Sequence, residues 1–326
     1  MSKNRTPTAI VGLHHVTAIA SDPQSNLDFY TKVLGLRLVK RTINFDDPGT
    51  YHFYFGDFAG SPGTILTFFP WPDADRGSRG SGETLATAFS VPVEAVKFWK
   101  ARLLNLGIKI EQEEKRFGDH VLGFSDPDGM RLEIVGHSDC RAASQGDQVE
   151  IPNEHSIRGL FGVTLCEADF DKTASVLEKM GFERSSERGN RFRFSAVGNA
   201  HGRHIDILHE PTLSVGEPGA GTVHHIAFRA SDDAAQLLWR EKIRALHLEV
   251  TSVLDRTYFH SIYFREPGGV LFEIATDPPG FAIDEPLQSL GERLQLPTWL
   301  EPNRSILKSI LPAVSVQSAR SQDEPR

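Results

Sequence analysis

The sequence predicts an α+β protein built from four βαβββ units, and three observations support this fold class. The chain passes four times through a strand-like segment, an amphipathic helix and further strands that end in a glycine turn. A repeat of this length is one supersecondary unit that is too small to bury its own sheet face, so the units must pair into barrel-like domains. The glycines before the last strands are 66, 73 and 67 positions apart, at Gly63, Gly129, Gly202 and Gly269.

Each unit opens with a short strand rich in β-branched and aromatic residues, predicted at Leu13–Ala20, Leu85–Val91, Gly159–Cys166 and Val223–Ala230. An aspartate that caps free N–H groups, or a proline that fits the first turn, then starts each helix, at Asp22, Pro92, Asp169 and Asp232. Glycine tolerates the left-handed conformation at a helix C-terminus and ends three of the helices, at Gly35, Gly107 and Gly181. The fourth helix ends at Leu246–His247 without a glycine.

The order of the units along the chain predicts two domains of two units each. The N-terminal domain covers 1–140, with units at about 12–75 and 83–138. The C-terminal domain covers 155–282, with units at about 157–212 and 221–280, and the polar stretch 141–154 links the two. A helical tail follows at 283–326, with helices expected at Leu287–Leu294 and Ser305–Leu311 and a polar, disordered end.

Composition limits the classes of function. The chain has 326 residues, of which 39% are hydrophobic, and no stretch approaches 18 consecutive apolar residues, so we expect a soluble protein without membrane spans. Its 2 cysteines favour a reducing compartment, and we predict a cytoplasmic protein. A net charge of -8 without clustered lysine and arginine argues against nucleic acid and favours a small-molecule partner. A small homo-oligomer is the usual expectation.

Two histidine pairs, His14–His15 and His224–His225, occupy equivalent places in units one and four. The repeat makes His15 and His225 equivalent, and Glu273 lies four residues after the turn glycine of unit four. Two histidines and one carboxylate form the facial triad that leaves coordination positions open on a non-haem Fe(II) centre. Neighbours on a strand point to opposite faces, so His14 and His224 reach such a site only from its rim, as supporting groups or proton carriers.

Units two and three offer acids at these positions but no histidine. The equivalents of His15 there are Ala86 and Gly162, and the equivalents of Glu273 are Glu133 and Asp206. We therefore infer that units one and four share a metal-binding cavity. Units two and three then form a metal-free counterpart, in which both acids are satisfied polar residues or remnants of an ancestral site.

Several motifs distributed over nearly the whole chain carry a family resemblance: Gly12–Thr17, Lys40–Asp46, Tyr51–Gly56, Gly221–His225, Asp255–Phe259, Ser261–Phe264 and a tail motif from Leu296 to Pro312. They resemble the vicinal oxygen chelate, or glyoxalase/bleomycin-resistance/extradiol dioxygenase, superfamily, whose paired βαβββ modules make a metal-lined barrel. The pattern is most similar to the hydroquinone ring-cleaving branch, which resembles 2,6-dichlorohydroquinone 1,2-dioxygenase.

The resemblance implies Fe(II) held by His15, His225 and Glu273, with O2 as co-substrate and a small aromatic diol as substrate. Mn(II) stays open, because the same ligands bind both metals. The resemblance also implies catalytic roles for Tyr263, Arg256, His14 and His224. It further implies that the substrate is bound by Thr17, Tyr263 and Arg256.

Two other functions stay open. A glyoxalase-like isomerase or lyase shares the fold, and fold alone does not decide function. Such sites usually hold the metal with four protein ligands, however, and the fourth position here is Thr67, a poor ligand. A protein that sequesters a quinone or drug is the second alternative, although such proteins lack a complete triad. Without the resemblance, Tyr263 reads equally well as an ordinary strand aromatic, and Arg256 as a solvated turn residue.

Overall fold

A computed structural model describes residues 9–141 and 151–316 of the chain. Most of the predicted linker at 141–154 and most of the predicted disordered end lie outside the described residues. The four predicted units are present in the described part. Each has a first strand, a helix and three further strands, which confirms the α+β fold class.

The bounds of the elements follow the repeat. Unit one comprises β1 Leu13–Ala20, α1 Pro23–Asp28, β2 Arg37–Ile43, β3 Tyr51–Gly56 and β4 Ile65–Pro70. Unit two comprises β5 Glu83–Pro92, α2 Val96–Asn105, β6 Gln112–Arg116, β7 Asp119–Ser125 and β8 Arg131–His137. Unit three comprises β9 Gly159–Glu167, α3 Phe170–Lys179, β10 Phe182–Arg188, β11 Arg191–Ala196 and β12 His204–His209. Unit four comprises β13 Val223–Ala230, α4 Asp233–Ala245, β14 Leu254–Asp255, β15 Phe259–Arg265 and β16 Leu271–Pro279.

The tail is less helical than the sequence predicts. A short helix, α5, spans Arg304–Ile310, but the second expected helix, at Leu287–Leu294, is reduced to a single 3-10 turn at Leu287–Ser289. The backbone turns extended at Leu290 and then left-handed at Gly291, with φ of 80°, so a helix cannot continue there. No helix among the described residues is long and apolar enough to span a membrane.

The strands form two sheets of eight strands each in the described residues, and the sheets pair units across the chain. One sheet has the order β14-β15-β16-β13-β1-β4-β3-β2, which joins unit four to unit one. The other has the order β10-β11-β12-β9-β5-β8-β7-β6, which joins unit three to unit two. The predicted domains, 1–140 and 155–282, therefore do not have one sheet each. The pairing of first strands, β1 with β13 and β5 with β9, decides the arrangement.

The helix of unit four ends in the left-handed conformation although it has no glycine at that position. Gly35, Gly107 and Gly181 adopt the left-handed conformation after the first three helices, with φ of 67°, 75° and 96°. His247 takes the same conformation after α4, with φ of 60°, and its side chain is exposed. The backbone geometry of the repeat is thus conserved at a position where a residue with a Cβ is strained.

Candidate metal centre

Three side chains converge in the sheet formed by units one and four. His15 Nε2 lies 3.4 Å from His225 Nε2 and 3.3 Å from Glu273 Oε2, and His225 Nε2 lies 2.9 Å from the same oxygen. All three side chains are buried. Within the described ranges they form the one group of at least three histidine, cysteine or acidic side chains close enough to hold a metal ion.

Strand register produces this convergence. His15 on β1 lies opposite Ala227 on β13, and Glu273 on β16 lies opposite Ala227 from the other side. His225 is two residues before Ala227 and therefore points to the same face of the sheet. Ala227, which lies between His15 and Glu273 in the sheet, contributes only a methyl group.

The charge balance of this group fits a cation. Burial acts to raise the pKa of the Glu273 carboxyl, but the neighbouring His15 and His225 outweigh it and hold that pKa well below its usual range. Burial lowers the pKa of His225, so its ring favours the neutral form that binds metals. Ser261 Oγ donates a hydrogen bond of 2.5 Å to Glu273 Oε1, whereas the buried Glu273 Oε2 has no hydrogen-bond partner of suitable geometry among the described residues.

His14 and His224 lie behind the two central histidines. The Nδ1 atoms of His14 and His15 are 2.9 Å apart, and those of His224 and His225 are 2.7 Å apart. Burial lowers the pKa of His14, and burial together with His225 lowers the pKa of His224 to about 3. His224 borders the cavity described next, whereas His14 does not. His224 therefore faces the open space, whereas His14 lies behind His15, and a supporting role for either histidine stays a prediction.

A cavity of about 270 Å³ opens beside the three central residues. This volume is slightly below the usual range for pockets that hold drug-sized ligands, which suits a compound of about one ring. Aromatic side chains dominate the walls, and polar groups lie at a few places. The lining residues besides the two central histidines are Asn44, Phe45, Asp46, His52, Tyr54, Phe69, Trp71, His224, Arg256, Phe259, Tyr263 and Leu271.

Tyr263 and Arg256 both border the cavity. Tyr263 lies opposite Glu273 in the β15–β16 pair, and its ring meets the ring of His225 edge-on at 5.6 Å. The guanidinium carbon of Arg256 is 5.5 Å from the centre of the Tyr263 ring, and Arg256 Nη2 donates to Asp46 Oδ2 at 3.0 Å. Burial and the Glu273 carboxylate raise the pKa of Tyr263, so its hydroxyl stays a proton donor at neutral pH.

Thr17 is not where the resemblance implied. It is fully buried and does not border the cavity. Its hydroxyl accepts a hydrogen bond of 2.8 Å from Thr67, and Thr67 Oγ1 lies 2.9 Å from His52 Nε2. The side chain of Thr17 therefore lies behind the cavity wall, and the residue that reaches the cavity from this chain of contacts is His52.

The sequence reasoning missed the wall supplied by unit one. His52 and Tyr54 point to the same face of β3, since they are two residues apart, and their rings are 4.0 Å from centre to centre. Both lie in the motif Tyr51–Gly56, so a signal existed. The motif entered only through the family resemblance, which did not indicate which of its side chains meet the cavity.

The second sheet carries no equivalent group in the described residues. Glu133 forms two hydrogen bonds with the Arg116 guanidinium, at 2.8 and 2.9 Å. Asp206 accepts from Arg193 at 2.7 Å and from Arg191 at 3.2 Å. Both acids are thus satisfied by arginines, in agreement with the first of the two readings offered for them.

The fold and the site define a protein class. The Glyoxalase/Bleomycin resistance protein/Dioxygenase superfamily matches residues 12–134 and 159–274, which include His15, His225 and Glu273. The chain belongs to this superfamily, as its motifs indicated.

Several individual relatives that the chain matches are named as dioxygenases. The protein named "Putative ring-cleaving dioxygenase MhqO", from Bacillus subtilis (strain 168), is 48% identical over 304 residues, which cover 93% of this chain and 96% of the relative. The chlorohydroquinone/hydroquinone 1,2-dioxygenase of Sphingobium indicum is 32% identical over 305 residues, which cover 90% and 94%. A crystal structure of a "putative dioxygenase" from Bacillus subtilis superposes with a TM-score of 0.91 at 47% identity, over 95% of this chain and 99% of that one.

Proposed function

We propose that this protein is an Fe(II)-dependent dioxygenase that cleaves the ring of a hydroquinone-type aromatic, which is either unsubstituted or carries small groups such as chlorine. The observation that carries the proposal is a centre of two histidines and one glutamate beside a cavity sized for about one ring. The names of the relatives, ring-cleaving dioxygenases and a hydroquinone 1,2-dioxygenase, support the reaction and the substrate class.

The donor set fits the proposed metal. Two imidazole nitrogens and one carboxylate oxygen suit Fe(II) or Mn(II), and three protein ligands leave positions for a substrate and O2. Glu273 Oε2 is buried beside the Nε2 atoms of His15 and His225 and is a suitable third metal ligand with them. When bound, the metal would bring an electron-rich ring and O2 together.

The residues around the centre have separate tasks in this proposal. The Tyr263 hydroxyl donates a hydrogen bond to a substrate oxygen at the centre, because its raised pKa keeps it protonated. Arg256 stabilises negative charge that develops on the ring oxygens. His224, which borders the cavity and contacts His225, exchanges a proton with the substrate, and His14 holds the His15 ring from behind.

The glyoxalase-like alternative finds less support. Its fourth metal ligand would come from the position of Thr67, whose hydroxyl is already engaged with Thr17 and His52. A purely sequestering protein would not need His15, His225 and Glu273 to converge. The cytoplasmic location, expected from composition, and the homo-oligomeric state, which is the usual expectation, both stay predictions.

The test uses protein loaded anaerobically with Fe(II), with O2 uptake and metal content measured on the same sample for hydroquinone, methylhydroquinone, chlorinated hydroquinones and catechol. We expect stoichiometric uptake and a ring-opened chromophore with at least one hydroquinone. His225→Ala should lose both metal and turnover, whereas Tyr263→Phe should keep the metal and lose turnover. His204→Ala, which alters a histidine of the second sheet, serves as the control. Tight metal binding without uptake on any diphenol would contradict the dioxygenase and favour an isomerase or lyase.

A further inference from the structure

The repeat relates the two walls of the cavity residue by residue. In unit four, Tyr263 lies opposite Glu273, and Ser261, two residues earlier, donates to the Glu273 carboxylate. In unit one, Tyr54 lies opposite Thr67, and its ring also borders the cavity. His52, two residues before Tyr54, therefore takes the place of Ser261 and contacts Thr67 in the same way.

Hydrogen-bond direction fixes the tautomer of His52. Thr67 gives its one hydroxyl proton to Thr17, so it can only accept from His52, whose Nε2 must then carry the hydrogen. Burial and the nearby His15 and His225 lower the pKa of His52, which favours the neutral ring. A neutral imidazole protonated at Nε2 leaves Nδ1 as an acceptor, and this atom has no hydrogen-bond partner among residues 9–141 and 151–316.

Two other acceptor atoms on the cavity wall have protein partners. Asp46 Oδ2 accepts from Arg256, and Asn44 Oδ1 accepts from the backbone N–H of Asp46. In unit four, Arg256 has only donors, and the protonated Tyr263 hydroxyl can donate. Arg256 and Tyr263 can thus donate to a ligand from unit four, and His52 Nδ1 can accept from it in unit one.

We propose that His52 is a positioning and specificity residue, which accepts a hydrogen bond through Nδ1 from the substrate hydroxyl that does not lie at the His15–His225–Glu273 centre. This inference rests on the proposed function and names its substrate requirement: a ring that carries a second hydroxyl as a hydrogen-bond donor. The chain of contacts from Thr17 through Thr67 holds the imidazole in the accepting tautomer. Thr17 therefore acts on the substrate indirectly.

The test compares two probes that differ in that donor alone, hydroquinone and 4-methylphenol. Their affinities are measured by anaerobic titration of the Fe(II)-loaded protein, with metal content as a check. We expect the wild-type protein to prefer hydroquinone by about 10-fold, the factor that one net hydrogen bond supplies. His52→Gln keeps a donor for Thr67 but removes the acceptor, so its preference should fall to about 1-fold. His52→Asn places an amide oxygen near the position of Nδ1 and should retain most of the preference.

The outcomes separate this inference from the proposed function. Wild-type protein that binds neither probe would overturn the proposed function and this inference with it. Wild-type protein that binds and turns over hydroquinone, together with an unchanged preference in His52→Gln, would overturn the role of His52 alone. If His52→Gln does not fold, Thr67→Val keeps the histidine but removes the partner that fixes its tautomer. A reduced hydroquinone preference in that variant, with KM raised more than kcat is lowered, supports the inference, and an unchanged preference refutes it.

Discussion

Glu167, at the end of β9, is a buried acid, and its replacement by glutamine should stabilise the protein at neutral pH. The side chain is 0% exposed, and neither carboxylate oxygen has a hydrogen-bond partner in the part of the chain that the structure describes. A Cβ added to Gly268 would lie 1.9 Å from Glu167 Oε2 and 2.8 Å from Glu266 Oε1, so the two acids meet at this turn. Glu266 is satisfied by Thr173 and by backbone N–H groups, which leaves Glu167 as the group that must be neutral.

The magnitude follows from the pKa. Burial, followed by the charges of Glu266 and Asp169, raises the pKa of Glu167 from 4.5 to about 9. Because the folded-state pKa is the higher one, the stability that the protonated group contributes is complete below pH 4.5 and is lost as the pH rises toward 9. At pH 7 Glu167 is still protonated in the folded state but ionised in the unfolded state. The stability lost at pH 7 is therefore set by the difference between pH 7 and the unfolded pKa, roughly 2.5 pH units. At about 1.4 kcal/mol per unit, this amounts to about 3 kcal/mol.

Glutamine has nearly the same shape and stays neutral at every pH, so Glu167→Gln removes this loss. We expect the free energy of unfolding to rise by about 3 kcal/mol at pH 7, or about 5 °C in Tm for a chain of this length. Urea denaturation at pH 5, 7 and 9 measures the effect, with Glu249→Gln, at an exposed position of unit four, as the control. The gain should be small at pH 5 and largest at pH 9. A gain that is equal at the three pH values would refute a protonated Glu167.

Two further predictions concern the second sheet and the helix ends. Glu133→Ala leaves Arg116 buried without its bidentate partner and should lower the free energy of unfolding by about 3–5 kcal/mol, measured in urea, while metal content stays unchanged. A variant that instead lost metal would contradict the separation of the two sheets. His247→Gly should raise the free energy of unfolding by about 1 kcal/mol, because it relieves the left-handed residue at φ of 60°. Gly107→Ala, at φ of 75° with open space around the added Cβ, is the matched control and should lower it by a similar amount in thermal melts.

The repeat made much of the fold predictable. Parallel pairing between the first and last strands gives every unit one fixed register, and counting from a turn glycine is enough to find it. The structure has this register in all four units, since the residue four positions after each turn glycine pairs with the residue two positions after the His15 equivalent. The four pairs are Thr17 with Thr67, Ala88 with Glu133, Thr164 with Asp206, and Ala227 with Glu273.

Only the positions of the metal-ligand candidates predicted which units pair. Strand patterns are local, and nothing in the alternation of β1 specifies β13 instead of β5 as its neighbour. The order of units therefore suggested domains of consecutive units, whereas the distribution of His15, His225 and Glu273 required units one and four to meet. The observed sheet order joins unit one to unit four, as these three residues required.

The part of the cavity wall that unit one supplies was not predicted, for a related reason. Thr17 and His52 are 35 positions apart in the chain. They are linked by hydrogen bonds through Thr67 because β1, β4 and β3 are neighbours in the sheet. A resemblance can point to Thr17 as important, but it cannot tell a residue that contacts a substrate from one that orients its neighbour. That distinction requires the hydrogen bonds to Thr67.

The two sheets have the same architecture, but their buried carboxylates are compensated by different groups. A buried carboxylate needs a compensating positive charge. In the second sheet, arginines supply it permanently to Glu133 and Asp206. In the first sheet, the basic groups beside Glu273 Oε2 are the rings of His15 and His225, and burial disfavours a charged ring at His225. A cation bound by the three residues would supply the positive charge that arginines supply in the second sheet. This asymmetry favours a metal ion in the sheet of units one and four and disfavours one in the sheet of units two and three.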